Sequence, residues 1–409
     1  MHILYFHQYF TTPKGETGTR SYEVAKVLVK RGHQVTMICG TGVRLKVAGL
    51  QEVRKGEKHG VVDGINVIQF ELSYSNRDGF LRRSLAFFKF ALRSIGVVFK
   101  LKYDLIFATS TPLTASIPGI VAKLSMRGKP FVFEVRDLWP ELPKAMGVIT
   151  NPLVLMAMST LEWMSYRCAD RCIGLAPGIV EGIRKRGSKS LQVEMIPNGC
   201  DLDLFRPDVE PGAIPGVNEG DFVALFTGAH GLANGLDAVL DVAAKLKEVK
   251  RSDIKIVLIG DGSQKDALTK RAKTEELTNC IFIDPMPKDM LPAILTRANV
   301  GLMILANVPA FYNGTSPNKF FDYISSGLPV LVNYPGWMSR LIDDQKCGVS
   351  VAPLDTMAFV SVLENMADGG IDLGLMGQNA RALAETEFSR DKLCQELTSV
   401  LESCAENLT

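Results

Sequence analysis

The chain has 409 residues, 46% of them hydrophobic and 22% charged, with a formal net charge of +2. That length favours two domains, the composition is that of a large folded enzyme and excludes disorder, and no run of 18 or more apolar residues is present to span a bilayer. The small net charge hides a division: residues 1–200 hold 28 Lys and Arg against 15 Asp and Glu, residues 201–409 hold 18 against 29, so the halves carry +13 and −11. An anionic partner for the first half is the expectation.

The opening Met1-His2-Ile3-Leu4-Tyr5-Phe6 has neither a basic n-region nor a cleavage site and reads as a strand, not a signal peptide. The 8 cysteines are scattered, and Cys168 and Cys172 lack a His or Cys cluster nearby, so reduced cytoplasmic thiols are expected and a zinc site is not. After the strand at 2–6 come a loop with Gly15 and Gly18, a helix over 20–31, and strands near 35–39, 104–109, 130–135, 171–175 and 192–196. Helical patterns separate them, except for a longer insertion around 40–80. A Pro-, Gly- and Asp-rich stretch, 197–220, then breaks the periodicity. The pattern restarts with strands at 222–227, 254–259, 280–283, 299–304, 329–333 and 348–351, alternating with helices near 235–249, 264–276, 288–297, 317–326 and 355–367. Two further helical patterns, 371–386 and 389–406, close the chain. The alternation predicts an α/β protein with two Rossmann-like, doubly wound domains, residues 1–200 and 221–387, joined by a linker at 201–220. Residues 388–409 form a last helix that can pack outside the second sheet or cross back to the first domain. Ligands of such sheets sit at the carboxyl ends of the strands, so both domains would offer their loops to a cleft between them.

The most informative stretch is Asn313-Gly314-Thr315-Ser316-Pro317-Asn318-Lys319-Phe320-Phe321-Asp322-Tyr323-Ile324-Ser325-Ser326-Gly327-Leu328-Pro329-Val330. Ser316 is placed to cap a helix whose first residue is Pro317. The free N–H groups of that helix start, with Asn318 and Lys319, suit a phosphate, and Asp322 one turn on suits the hydroxyls of a ribose. A well-capped core helix with solvated Lys and Asp is the alternative on spacing alone.

This stretch resembles the donor-site helix of the family-4 retaining glycosyltransferases, with Asp322 at the place of the second, ribose-binding Glu and Gly314 at the place of the first. Ile196-Pro197-Asn198-Gly199-Cys200-Asp201 followed by Phe205-Arg206-Pro207 is similar to the interdomain signature of that family. A third match is Phe226-Thr227-Gly228-Ala229-His230-Gly231-Leu232-Ala233-Asn234-Gly235, where most members have an Arg and a Lys that grip the donor diphosphate; Ala229 and Asn234 stand in their places. Lys319, the helix ends near Ser316 and Gly235, and His230 as a hydrogen-bond donor are the candidates to replace that clamp. The resemblance implies the GT-B architecture and covers essentially the whole chain. Its details are similar to a subgroup transferring N-acetylated amino sugars such as N-acetylfucosamine in bacterial O-antigen or capsule assembly. It further implies that Gly260 of Gly260-Asp261-Gly262 borders the nucleotide and that backbone near Met286-Pro287 meets the base.

In the first domain, Gly15-Glu16-Thr17-Gly18-Thr19-Arg20 opens the first helix, and Gly18 and Thr19 are candidates to wall the donor phosphate or the acceptor. Phe133-Glu134-Val135-Arg136-Asp137-Leu138-Trp139-Pro140-Glu141 ends a strand, with Arg136-Asp137 where many family members have His-Asp. Asp137 is the candidate catalytic or acceptor-orienting group and Arg136 an anion contact; Glu134 and Glu141 are equally suited to structural ion pairs. The segment Phe80-Leu81-Arg82-Arg83-Ser84-Leu85-Ala86-Phe87-Phe88-Lys89-Phe90-Ala91-Leu92-Arg93, continued to Lys100 and Lys102, predicts either a helix lying in an anionic membrane interface or one packed on the sheet.

Asp201-Leu202-Asp203 lies in the linker signature and reads as structural, so no cofactor and no metal are expected. The resemblance implies front-face attack by the acceptor hydroxyl. The expected protein is a cytoplasmic enzyme on the inner face of the plasma membrane that uses a UDP-sugar and a lipid-linked, polyprenyl-diphosphate saccharide acceptor and binds no nucleic acid. A UDP-sugar 2-epimerase of the same architecture and a non-catalytic sugar-nucleotide-binding subunit are the alternatives.

Overall fold

The computed structural model describes residues 1–15, 18–42, 45, 47–72, 80–125 and 128–406. The chain divides into two units, one of residues 1–197, 313–316 and 391–409, the other of residues 198–312 and 317–390. In the first unit the strands are β1 (His2–Phe6), β2 (Gln34–Gly40), β3 (Gln51–Arg54), β4 (Glu57–Val62), β5 (Ile65–Phe70), β6 (Leu105–Thr109), β7 (Phe131–Val135), β8 (Arg171–Gly174) and β9 (Gln192–Met195). Its helices are α1 (Arg20–Lys30), α2 (Phe80–Lys100), α3 (Ile117–Leu124), α4 (Glu141–Ala145), α5 (Pro152–Cys168) and α6 (Pro177–Arg186).

The sheet runs β3-β4-β5-β2-β1-β6-β7-β8-β9 and is parallel from β5 to β9. Its central strands are apolar almost throughout, as burial on both faces requires: Ile3, Leu4, Tyr5 and Phe6 are all fully buried. The insertion around 40–80, read above without strands, supplies three. Antiparallel β3 and β4 lead into β5, which pairs in parallel with β2. β3 is exposed throughout, so no apolar alternation advertised it.

The second unit holds β10 (Phe222–Thr227), β11 (Ile254–Ile259), β12 (Cys280–Ile283), β13 (Val300–Met303), β14 (Val330–Val332) and β15 (Gly348–Ser350), in the order β12-β11-β10-β13-β14-β15, all parallel. Its helices are α7 (Asp237–Glu248), α8 (Lys265–Thr274), α9 (Leu291–Arg297), α10 (Pro309–Tyr312), α11 (Asn318–Ser325), α12 (Trp337–Asp344), α13 (Thr356–Ala367) and α14 (Leu373–Thr386). One core cluster joins Phe226, Leu240 and Leu258 to Leu302, Leu331 and Leu363. The short α12, absent from the reading above, follows Gly336 and buries Trp337, Met338 and Ile342. The last helix, α15 (Arg390–Glu406), belongs to the first unit from Asp391 onward; Glu402 meets Arg31 at 2.8 Å and His33 Nε2 at 2.8 Å.

In each sheet the chain first builds outward from one strand and then returns to that strand's other side. The switch points lie between β1 and β6 and between β10 and β13. The crevices outside the carboxyl ends of those strand pairs are where open α/β sheets bind ligands.

Candidate active-site residues at the two switch points

Beside the second unit's switch point, the carboxyl ends of β10, β11 and β12 meet. Gly228 N–H donates to Ile259 O at 2.9 Å, Gly260 N–H to Ile283 O at 3.1 Å, and His230 N–H to Asp261 O at 3.0 Å. Gly260 has φ +151°, and a Cβ there would lie 1.8 Å from the Gly228 carbonyl oxygen, so only glycine fits. Gly228, at φ +141°, leaves the space in which the Lys319 stem lies; a Cβ there would be 3.3 Å from Lys319 Cε.

Lys319 stands in the first turn of α11. Its Nζ sits 3.7 Å from the centroid of the Phe226 ring and donates to Asn234 Oδ1 at 3.1 Å. Asn234 is held in turn by its own amide, which donates to Ala229 O at 2.6 Å. Burial pushes the Lys319 ammonium down to about 7, because water is removed and no carboxylate pairs with it among the described residues. The neighbouring Lys265 differs: it donates to Gly260 O at 2.8 Å and pairs with Asp284 at 2.6 Å. His230 is fully buried between Phe226 and Phe282, with ring centroids 6.2 and 6.1 Å away, and neither ring nitrogen has a partner among the described residues. Burial, reinforced by Lys265, lowers its pKa to about 4, so the ring is neutral at pH 7.

Ser316 does not cap α11. The helix starts at Asn318, with Pro317 as an extended N-cap at ψ 130°, which leaves Ser316 one residue outside it and in the first unit. Asn318 is exposed at the helix start. Asp322, one turn beyond Lys319, belongs to a second cluster that sequence reasoning missed. Lys288 Nζ lies 4.0 Å from Asp322 and 3.4 Å from Asp201, and Arg390 pairs with Asp201 at 3.0 Å. Burial raises the Asp322 carboxyl above its ordinary value, opposed by Lys288 and Arg390. Asp201, read above as structural, organises these two cations. Met286, half-buried, lies in the connection between β12 and α9, just ahead of Lys288.

In the first unit, the charged groups around β1, β6 and β7 converge on Glu134. It is fully buried, accepts from Arg20 Nε at 2.9 Å and Thr109 Oγ1 at 2.6 Å, and lies 3.7 Å from Arg136. Burial pushes its carboxyl up, but Arg20 and Arg136 outweigh this and hold it below the ordinary value. Arg20 also donates to Ile196 O at 2.9 Å and to Pro197 O. Glu134 is thus the centre of an ion-pair network, whereas Glu141 is exposed at the start of α4. Asp137, half-buried, accepts from Thr111 Oγ1 at 3.0 Å, and burial raises its carboxyl despite Arg136. Thr19 is buried at the N-cap of α1 and Gly18 is exposed just before it; Glu16 and Thr17 lie outside the described residues.

On α2, Leu85, Phe88, Leu92 and Phe99 form one exposed stripe, 70, 56, 69 and 47% accessible, while Ala86, Phe90 and Val98 face inward. Arg82, Lys89 and Lys100 are exposed, but Arg93 turns to the β3–β4 ribbon, donating to Gly56 O at 2.7 Å and pairing with Glu57 at 3.2 Å. Among the described residues no helix is long and apolar enough to cross a membrane.

These features agree with what the chain resembles. Residues 15–199 match the model of the glycosyl transferase 4-like domain and residues 213–383 that of glycosyl transferases group 1. The probable glycosyltransferase WbjE of Pseudomonas aeruginosa is 21% identical over 78% of this chain and 80% of its own. The UDP-Gal:alpha-D-GlcNAc-diphosphoundecaprenol alpha-1,3-galactosyltransferase of Escherichia coli is 24% identical over 56% of this chain and 59% of its own. Among solved structures, Anabaena Alr3699/HepE in complex with UDP-glucose superposes with a TM-score of 0.68 at 17% identity, covering 98% of this chain and 100% of that one. The fold and the two matched domains define a GT-B glycosyltransferase. The chain belongs to the family-4 type of these enzymes.

Proposed function

We propose that this glycosyltransferase acts with retention, moving an N-acetylated amino sugar from a UDP-sugar to a polyprenyl-diphosphate-linked saccharide in bacterial surface polysaccharide synthesis. The observation that carries the donor half is Lys319, a desolvated cation at the second switch point with aromatic and amide neighbours but no carboxylate partner among the described residues. An arriving diphosphate supplies the missing countercharge, and Lys319 takes the place of the usual Arg and Lys clamp. Asp322, steadied by Lys288, accepts the ribose hydroxyls. His230, neutral and unpartnered, can donate to a donor oxygen. In front-face transfer the protein neutralises the leaving diphosphate and orients both substrates, and Arg136 and Asp137 are the acceptor-side groups for that task.

The relatives support the substrate classes by analogy: one is named for a UDP-sugar donor and a lipid diphosphate acceptor, and one solved structure holds UDP-glucose. The exposed stripe of α2 supports docking on an anionic inner leaflet. It lies in a segment, residues 80–103, that contains no Asp or Glu. Mass analysis of products from synthetic lipid-linked acceptors and pooled sugar nucleotides tests the reading. Transfer with the anomeric configuration kept is expected, and nucleotide binding without transfer to any acceptor would sink it. Product formation without an acceptor would instead identify an epimerase. Activity that persists in EDTA is expected, since Lys319 supplies the charge a metal would otherwise bring. Replacing Leu85 and Leu92 by Ser is expected to reduce binding to anionic vesicles by about tenfold, from the apolar area lost at the interface.

A further inference from the structure

His7 follows β1 at the first unit's switch point, the strand end beside β6 where a ligand is expected. It is only 2% exposed, and its Nδ1 has no hydrogen-bond partner among the described residues. Its Nε2 lies 3.3 Å from Arg136 Nη1. A guanidinium can only donate, so Nε2 must be the accepting nitrogen, and the ring's one proton then sits on Nδ1. Burial, with the Arg136 charge beside it, keeps the ring from taking a second proton. The result is a buried N–H donor without an acceptor, which a folded protein rarely leaves unmet. Arg136, 20% exposed, contacts His7, Glu134 and, through its backbone N–H, Ser110, and its other terminal nitrogen has no acceptor among the described residues.

We propose that His7 is a specificity residue whose Nδ1–H donates to a hydroxyl oxygen of the acceptor saccharide, with Arg136 fixing the tautomer that makes this possible. The hydroxyl is one that does not react. Donating a hydrogen bond to the attacking oxygen would withdraw electron density from it and slow transfer, whereas a bond to a neighbouring hydroxyl selects the sugar without that penalty. His7 therefore sets acceptor recognition and leaves the transfer step alone. The inference rests on the glycosyltransferase reading for the identity of the ligand, but the tautomer does not.

Two substitutions separate the role from a structural one. His7→Gln places a side-chain oxygen near the former Nε2, keeping an acceptor for Arg136, and removes the Nδ1 donor. His7→Asn places an amide N–H near the former Nδ1. With a short-chain N-acetylglucosaminyl diphospholipid as acceptor, His7→Gln should raise the acceptor KM ~10–100-fold with kcat changed less than threefold, and His7→Asn should recover most of that loss. Equal losses in both variants, a loss confined to kcat, or a matching rise in the UDP-sugar KM would overturn the assignment. Nitrogen-15 NMR of histidine-labelled protein decides the tautomer without turnover. Protonated Nδ1 and bare Nε2 are expected in the free protein, with the Nδ1 resonance moving when the same diphospholipid is added. Protonated Nε2, an imidazolium, or no shift at a concentration where the probe is bound would refute the proposal, even if no transfer were ever detected.

Discussion

At the carboxyl ends of the two sheets, Glu134 and Lys319 handle buried charge in opposite ways. In the first unit Arg20 and Arg136 share the fully buried Glu134, with Thr109 completing its hydrogen bonds. In the second, Lys319 has a ring and an amide oxygen. A carboxylate inside the protein holds its cations in place whether or not a ligand is present. A cation given only weak neighbours remains desolvated and uncompensated, and an anionic ligand gains what the protein has withheld. Under the proposed donor role, this difference lets a half of the chain with net charge −11, residues 201–409, hold a diphosphate: attraction comes from one local group, not from a basic surface.

The largest effect expected from breaking this contrast is in the first unit. Glu134→Gln leaves two guanidinium groups around a neutral amide in a dry interior. Removing one member of a buried ion pair costs about 3–5 kcal/mol, and for a domain near 200 residues that is a fall in Tm on the order of 10 °C. Calorimetry measures it, and an unchanged Tm would mean that Glu134 does not hold the network. Lys319→Met should act with the opposite sign on stability, because it removes a desolvated cation that has no carboxylate partner among the described residues. Its cost should fall on function: kcat/KM for the UDP-sugar down ~10²–10³-fold, as for loss of a single charged contact to a leaving group. A variant that is both less stable and fully active would invert the comparison.

Much of this arrangement was legible in the sequence, and the omissions have physical causes. The buried parallel strands are continuous apolar runs, so Phe222–Thr227 and Ile254–Ile259 match their expected limits. The exposed β3 and its ribbon offered no such run. Gly228, Asn234, Gly260 and Lys319 come from three separated motifs, and the fold places them together because all follow or face the ends of β10 and β11. The cap was misjudged by one residue because Ser-Pro at a helix start is compatible with either residue as the cap, and the extended ψ of Pro317 decides it. Lys288, Arg390 and the Glu134 network were invisible for a different reason. Their partners are 87, 189 and 114 residues away in the chain, and no local pattern encodes such pairings. A lone His after a strand carries no signal either, until Arg136 is seen beside it.

A subtler substitution converts the second arrangement toward the first. Asn234→Asp gives Lys319 a carboxylate at nearly the same side-chain shape, at the cost of the amide bond to Ala229 O. The ammonium would then be compensated before any ligand arrives, and a diphosphate would have to displace that partner and meet a like charge. Affinity for UDP, followed by calorimetric titration, should fall about tenfold or somewhat more, within the range of coupling energies for close charge pairs. Unchanged affinity would show that the missing countercharge is not what the site offers its ligand.

Within one pH unit of neutrality, the smallest effect is expected in the unsubstituted protein. The Lys319 ammonium titrates near 7 in the free protein, and a bound diphosphate must raise that value because it favours the charged form. Below pH 7 the site is already protonated and affinity is level. Above it, binding must draw a proton from solution, so UDP affinity should weaken by up to tenfold per pH unit until the raised value of the complex is reached. Titrations at pH 8 in buffers of different ionisation enthalpy should report proton uptake that is absent in Lys319→Met. The same displaced titration has a stability consequence of opposite direction. Between pH 7 and the unfolded lysine value near 10.4, the unfolded chain binds the extra proton, so raising pH through this window favours the folded state at this residue. The destabilisation that a desolvated charge imposes is therefore fully present below pH 7 and relieved as pH rises. Over that interval the stability gained by Lys319→Met should shrink while its loss of nucleotide affinity also shrinks, so both differences between variant and parent converge toward zero at alkaline pH. Two differences that stay constant with pH would mean that Lys319 keeps its proton throughout, and the contrast between the two sheets would then rest on geometry alone.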